Sequence, residues 1–189
     1  MTRFFVQSYG QVVGYSDMPG VGWGAFVWDE TNGMRQLPTV AGGSSQALAV
    51  NNLGHVLGFE IGVGGLIWDL NSGTHEIVPY GSAINDLDQV VGSAYGGGAF
   101  LWDQAHGTQL LSSLIPAGTG WQLDYAFALN NAGDIVGYGE LDGQVRGFLM
   151  TPVPEPATLV LGILGMLCAT CLRKPALHQR AEQMRRGVA

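Results

Sequence analysis

The first 152 residues of the chain contain no cysteine, only three basic side chains and no stretch with the apolar spacing of an α-helix. Without cysteine, this body can form no disulfide and perform no thiol chemistry. The three basic residues stand against 13 acidic ones, and the resulting net charge of −10 repels a phosphate backbone, so we expect no nucleic acid as a partner. The missing helical period predicts a body made of β-strands.

Two sequence motifs recur in this body and indicate an internal repeat. The first reads GAFVWD, GGLIWD and GGAFLWD, with a weaker copy, RGFLMT, from residue 146. The tryptophans of the full copies are Trp28, Trp68 and Trp102. The second motif is an asparagine-led turn followed by an apolar strand, and its first residues are Asn51, Asn85 and Asn130. The tryptophans lie 40 and 34 residues apart, a period typical of propeller blades and solenoid repeats.

Each repeat predicts four short antiparallel strands. The tryptophan strand is apolar on both of its alternating faces, which suits a strand with a neighbour on each side. Glycine-containing turns and asparagine turns separate the strands. We expect complete blade-like units at about 24–59, 64–93 and 97–138 within a body spanning 1–152, with partial units at both ends. This all-β arrangement corresponds to an incomplete β-propeller.

These repeats resemble the bacterial extracellular HAF repeat over about residues 8 to 150. The Ala-Phe-Leu-Trp-Asp strand and the later Asn-x-x-Gly-Gln-Val-Val-Gly pattern carry the resemblance, although glycine or arginine replaces the histidine that gives the family its name. The resemblance implies export and a repeat fold, without an established chemistry.

An apolar run without charge follows the body at 157–172, and Arg173 and Lys174 come directly after it. As a helix this run spans roughly 24 Å, and snorkelling basic side chains can extend its reach towards the hydrocarbon thickness of about 30 Å. A buried core helix is the alternative, but such a helix normally has a polar stripe. We expect a transmembrane helix, with the basic tail 173–189 cytoplasmic and the body periplasmic.

Residues 153–156, which contain Pro154, Glu155 and Pro156, precede this run. Motif, apolar run and basic stop together resemble the PEP-CTERM sorting tail of Gram-negative bacteria that make extracellular polysaccharide. The resemblance implies that an exosortase in the inner membrane recognises the motif and that the protein is then released to the cell surface. Family tails end sooner than this one, and the residues after Met1 do not read as a secretory signal. We therefore expect the chain to be the C-terminal part of a longer exported protein.

No set of catalytic residues recurs in the repeats, so we expect no enzyme, cofactor or metal. The histidines fall at different phases of the repeat and share no ligand position. Aspartates at tryptophan strands and asparagine turns are Asp29, Asp69, Asp103, Asp86 and Asp88. We interpret them as turn residues, with calcium binding as the alternative. Cys168 and Cys171 lie within the apolar run, where thiols stay protonated, and a redox or metal pair is the alternative there.

The sequence thus favours a non-catalytic repeat protein of the cell surface or extracellular matrix. Its partners during sorting would be the exosortase and the inner membrane. A glycan-binding module for the secreted polysaccharide is the alternative, and a hydrolase is a third, less favoured hypothesis.

Overall fold

A computed structural model describes residues 3–6, 10–20, 22–73, 75–94 and 96–153. These residues form 15 β-strands and a single 3-10 turn, Leu111–Ser113. The strands make four small antiparallel sheets within one compact unit, Met1–Pro152. The prediction of an all-β body is therefore confirmed.

The strands follow one another within each sheet in chain order. Sheet 1 contains β1 (Arg3–Val6), β2 (Val12–Met18), β3 (Gly22–Asp29) and β4 (Gly33–Gln36). Sheet 2 contains β5 (Ser45–Val50), β6 (His55–Glu60), β7 (Gly64–Asp69) and β8 (His75–Val78). Sheet 3 contains β9 (Gly81–Ile84), β10 (Val90–Ser93), β11 (Ala99–Asp103) and β12 (Gly107–Leu110). Sheet 4 has three strands, β13 (Trp121–Leu129), β14 (Ile135–Leu141) and β15 (Gln144–Met150).

Each sheet begins two strands away from the start of the predicted unit. The tryptophan strand was expected to open each unit, but it is the third strand of its sheet, and the asparagine strand is the first. Residues 24–59, for example, supply two strands to sheet 1 and two to sheet 2. This corrects the predicted grouping of four strands within each unit. The chain passes from sheet 1 to sheet 2 through residues 37–44 and from sheet 2 to sheet 3 through residues 79–80, in both cases after the strand that follows the tryptophan strand.

Three hydrophobic clusters join successive sheets face to face. The first lies between sheets 1 and 2, the second between sheets 2 and 3, and the third between sheets 3 and 4. Adjacent residues of one strand enter different clusters: Leu66 and Trp68 belong to the first, and Ile67 between them belongs to the second. Each inner sheet is therefore buried on both faces. We call the face towards the preceding sheet, which carries Trp68 in sheet 2, the back, and the opposite face the front.

The clusters connect the sheets in a row and do not close it. Among the described residues, no hydrophobic cluster joins sheet 4 back to sheet 1, so these residues do not form a closed propeller. No helix within the same part of the chain is both long and apolar enough to cross a membrane. The predicted sorting motif Pro154 to Pro156, helix 157–172 and basic tail 173–189 lie outside the described residues.

Candidate functional site

The asparagines at the start of the repeated turns all have the same local geometry. The side-chain Oδ1 of Asn51 accepts hydrogen bonds from the backbone N–H groups of Leu53 and His55, at 3.1 and 2.9 Å. Asn85 and Asn130 accept the equivalent pair of bonds at 2.9 to 3.0 Å. Each side chain thereby replaces backbone partners that a tight turn cannot supply. We call the turns 51–54, 85–88 and 130–133 the turn row.

The amide nitrogens of the same asparagines connect one sheet to the next. Asn51 Nδ2 donates to the carbonyl oxygen of Asn85 at 2.9 Å, and Asn85 Nδ2 donates to the carbonyl oxygen of Asn130 at 3.1 Å. Asn51 and Asn85 are buried, so little water competes for these bonds. The recurring asparagines therefore serve to align the sheets.

Asp86 ties all three turns of the row together. Its carboxylate accepts hydrogen bonds from the backbone N–H and the side-chain amide of Asn52, both at 2.8 Å, and from the amide of Asn131 at 2.7 Å. Its own backbone N–H donates to Asn131 Oδ1 at 2.9 Å. The backbone N–H of Asn52, followed by the Asn131 and Asn52 amides, holds the pKa of Asp86 below its ordinary value.

This depressed pKa predicts that acid loosens the turn row. The unfolded chain binds a proton at Asp86 below about pH 3.9, whereas the folded chain resists that proton until a lower pH. Asp86 therefore stabilises the fold above that pH, and its contribution disappears as the pH falls through the folded pKa. Urea unfolding at pH 5 and pH 3 should show a smaller loss of stability on acidification in Asp86→Asn than in the parent chain. Equal losses in both proteins would contradict this role.

Asp88 has a positive φ at a position where the other two turns have glycine. Its φ is 58°, where Gly54 and Gly133 have 84° and 85°. Aspartate tolerates this region better than most residues do. Its carboxylate lies 2.6 Å from His55 Nδ1 and accepts a hydrogen bond from Asn51 Nδ2 at 2.8 Å. The replacement of glycine thus adds polar contacts between sheets 2 and 3.

A polar groove of about 330 Å³ lies beside these contacts, between sheets 2 and 3. The side chains that give it its character are His55, Asp69, Glu76, Asp88, Trp102 and Gln104. Two carboxylates flank the imidazole, since Asp69 Oδ1 lies 3.9 Å from His55 Nε2 on the side opposite Asp88. Among the described residues that line the groove there is no serine or cysteine to act as a nucleophile. Its chemistry suits hydrogen bonding to hydroxyl groups beside an apolar wall.

The aspartates that follow the tryptophans close hairpin turns, as the sequence indicated. Asp29 Oδ1 accepts bonds from the backbone N–H and the side-chain amide of Asn32, at 2.7 and 2.8 Å. The backbone bond from Asn32 is the largest influence that lowers the pKa of Asp29, and the hydroxyl of Ser72 has that effect on Asp69. Because these oxygens accept local donors, their geometry gives the calcium alternative no support.

The three marker tryptophans have different surroundings. Trp68 and Trp102 are buried in the junctions between sheets, and the indole N–H of Trp68 donates to the carbonyl oxygen of Pro38 at 2.8 Å. Trp28, at the same position in sheet 1, is 39% exposed. The first two are therefore core residues, whereas Trp28 belongs to a surface.

Sequence reasoning overlooked Glu60, which has the clearest electrostatic role in the body. The residue ends β6 and is fully buried. Its carboxylate accepts hydrogen bonds from the backbone N–H groups of Val40, Ala41 and Gly43, at 2.6, 2.9 and 2.8 Å. These donors belong to the segment that connects sheet 1 to sheet 2. The available signal was a charge at the end of an otherwise apolar strand, HVLGFE.

Comparison with models of known protein families finds no match for this chain, and a search of curated proteins finds no matching sequence.

Proposed function

We propose that this chain is a non-catalytic, exported repeat protein of the cell surface or extracellular matrix. An exosortase would sort it through Pro154, Glu155 and Pro156, with 157–172 spanning the inner membrane during transit. In this proposal the four sheets are blades of an incomplete β-propeller. The sorting step draws its support from the order of motif, apolar run and basic residues in the sequence.

One observation carries the non-catalytic part of the proposal. The residues that recur in register are the asparagines of the turn row and the aspartates of the hairpins, and both sets bind neighbouring backbone or side-chain groups. A repeated catalytic device would instead direct such side chains at a shared cavity. The repetition therefore supports a role in building a stable exported scaffold.

Mass spectrometry of the C-termini tests the sorting step directly. We expect the native protein released by producing cells to end between Pro154 and Ala157, and the membrane fraction to contain the uncut chain. Glu155→Ala should retain the protein in the membrane fraction, because it removes the charged residue between the two prolines. Glu30→Ala, a change of an exposed acid in the body, is the matched control and should leave release unchanged. Release of a protein that still ends at Ala189 would rule out processing at the motif.

The groove between sheets 2 and 3 favours a second candidate, a glycan-binding module. The carboxylates and the amide that line it can form hydrogen bonds with the hydroxyls of a sugar. A binding assay with the released protein and the secreted polysaccharide distinguishes the scaffold role from glycan binding. Its retention on the secreted polysaccharide, lost when Glu76 and Gln104 are changed to alanine, would favour glycan binding over a scaffold role.

A further inference from the structure

The front of sheet 4 and one end of the back of sheet 1 are apolar and exposed, although Phe26, on the same back face, is only 3% exposed. On the back of sheet 1, Met34 lies directly opposite Trp28 across β3 and β4 and is 60% exposed. On the front of sheet 4, Leu149 lies directly opposite Val136 across β14 and β15 and is 65% exposed. Exposed apolar residues that cluster on one sheet face indicate a surface that binds another molecule or another protein chain.

The repeat identifies what would normally cover these faces. The second strand of each sheet carries one valine or leucine on its front face. In sheets 1, 2 and 3 this residue is Val13, Leu57 and Val91, respectively. All three are fully buried under the next sheet. Val136 holds the same position in sheet 4 and is 42% exposed. The front of sheet 4 therefore has the composition of a face that packs against the back of another sheet.

The back of sheet 1 is its counterpart. Trp68 and Trp102 lie on the backs of sheets 2 and 3 and are buried against the sheet before them. Trp28 repeats this position with no preceding sheet among the described residues. At two junctions the second-strand residue of one sheet lies in the same cluster as the tryptophan of the next sheet: Val13 with Trp68, and Leu57 with Trp102.

We propose that the front of sheet 4 binds the back of sheet 1 of a second copy of this chain. The contact continues the packing that joins the sheets internally, with Val136 and Leu149 of one copy against Trp28 and Met34 of the other. It is a heterologous contact, so copies join head to tail and form either a closed ring or an open chain. Neither sorting nor glycan binding is needed for this association.

The turn row ends in a way that agrees with such a continuation. Asn51 and Asn85 each donate an amide hydrogen to the turn of the following sheet. Asn130, the last of the row, donates to Asp134 Oδ2 at 2.8 Å within its own turn, and its side chain is exposed. The polar edge of sheet 4, like its apolar face, is at the surface.

Charge predicts a recognisable salt dependence for the association. The body carries a net charge of −10, so two copies repel each other at low ionic strength. Burial of apolar side chains supplies the attraction. Self-association should therefore strengthen as salt is added, whereas a contact held by ion pairs would weaken.

The test uses the full chain in a nonionic detergent, with its mass measured by density-matched sedimentation. Leu149→Asp blocks the front, Met34→Asp blocks the back, and Ile77→Asp is the matched control on an exposed strand of sheet 2. We expect the parent and the control to associate and each blocked variant alone to be a single copy. Mixing the two blocked variants should restore pairs, because one still has its back and the other its front.

Each of the other outcomes overturns the proposal. Pairs formed by Met34→Asp alone would mean that fronts bind fronts. Association retained by both variants would assign it to another part of the chain, such as the apolar run. A parent chain of single-copy mass would mean that no second copy covers these faces. Restoration in the mixture also demonstrates that both variants remain folded.

Discussion

Replacing Glu60 with alanine is expected to lower the free energy of unfolding by roughly 2 to 4 kcal/mol, because it removes a buried acceptor of three hydrogen bonds at once. The carboxylate accepts hydrogen bonds from three backbone N–H groups of the segment between sheets 1 and 2. Alanine supplies no acceptor and leaves a cavity that water must enter to satisfy those groups. Urea unfolding followed by tryptophan fluorescence measures the loss.

Two further variants separate the charge from the shape of the side chain. Glu60→Gln keeps the length and one acceptor oxygen but turns an NH₂ group towards the backbone donors, so its stability should lie between those of the parent and the alanine variant. Glu30→Ala removes an exposed acid and should leave stability within about 0.5 kcal/mol of the parent. A Glu60→Ala protein as stable as Glu30→Ala would show that the segment does not depend on the carboxylate.

The contacts of Glu60 also explain what the sequence could not predict. Its partners lie 17 to 20 residues earlier, in a connection that has no counterpart of the same sequence in the other repeats. Periodicity reveals only what recurs, and a single carboxylate bound by a single loop does not recur. The asparagines of the turn row were predictable because each satisfies the same local turn, whereas their amide bonds to the next sheet depend on how sheets stack.

The sequence also could not show which strand of the repeat begins each sheet. A sequence motif marks where a strand occurs, but it does not mark the point at which the chain passes from one sheet to the next. The tryptophan strand recurs most clearly and so predicts the start of a unit, although it is third in its sheet. The different exposure of Trp28 and Trp68 likewise follows from the sheets beside them, since the two residues have nearly the same local sequence.

Replacing Gly58 with alanine should lower the free energy of unfolding by roughly 3 kcal/mol. A Cβ at this position would overlap the carbonyl oxygen of Gln46 on the neighbouring strand and would lie 2.7 Å from Cζ3 of Trp68. The backbone oxygen is held by the sheet and the indole by the junction with sheet 1, so neither can move without breaking other contacts.

The repeat provides graded comparisons for this prediction. At Gly137 a Cβ would meet the carbonyl oxygen of Tyr125 and the ring of Phe148, so Gly137→Ala should be similarly destabilising. At Gly92 the nearest atoms are less crowded, 2.8 Å from the carbonyl oxygen of Tyr80 and 3.0 Å from the ring of Phe100, and the loss should be smaller. Gly147, whose Cβ would have only the carbonyl oxygen of Gly137 at 3.8 Å, is the matched strand control.

Gly147→Ala should leave stability unchanged or raise it by up to about 1 kcal/mol, because alanine restricts the unfolded chain without a clash in the folded one. The measurement is the urea midpoint of all four variants. A ranking in which Gly58 tolerates alanine as well as Gly147 does would contradict the close approach. The expected ranking would assign the repeated glycine of the second strand a packing role, as the point where an aromatic ring from the third strand lies against bare backbone.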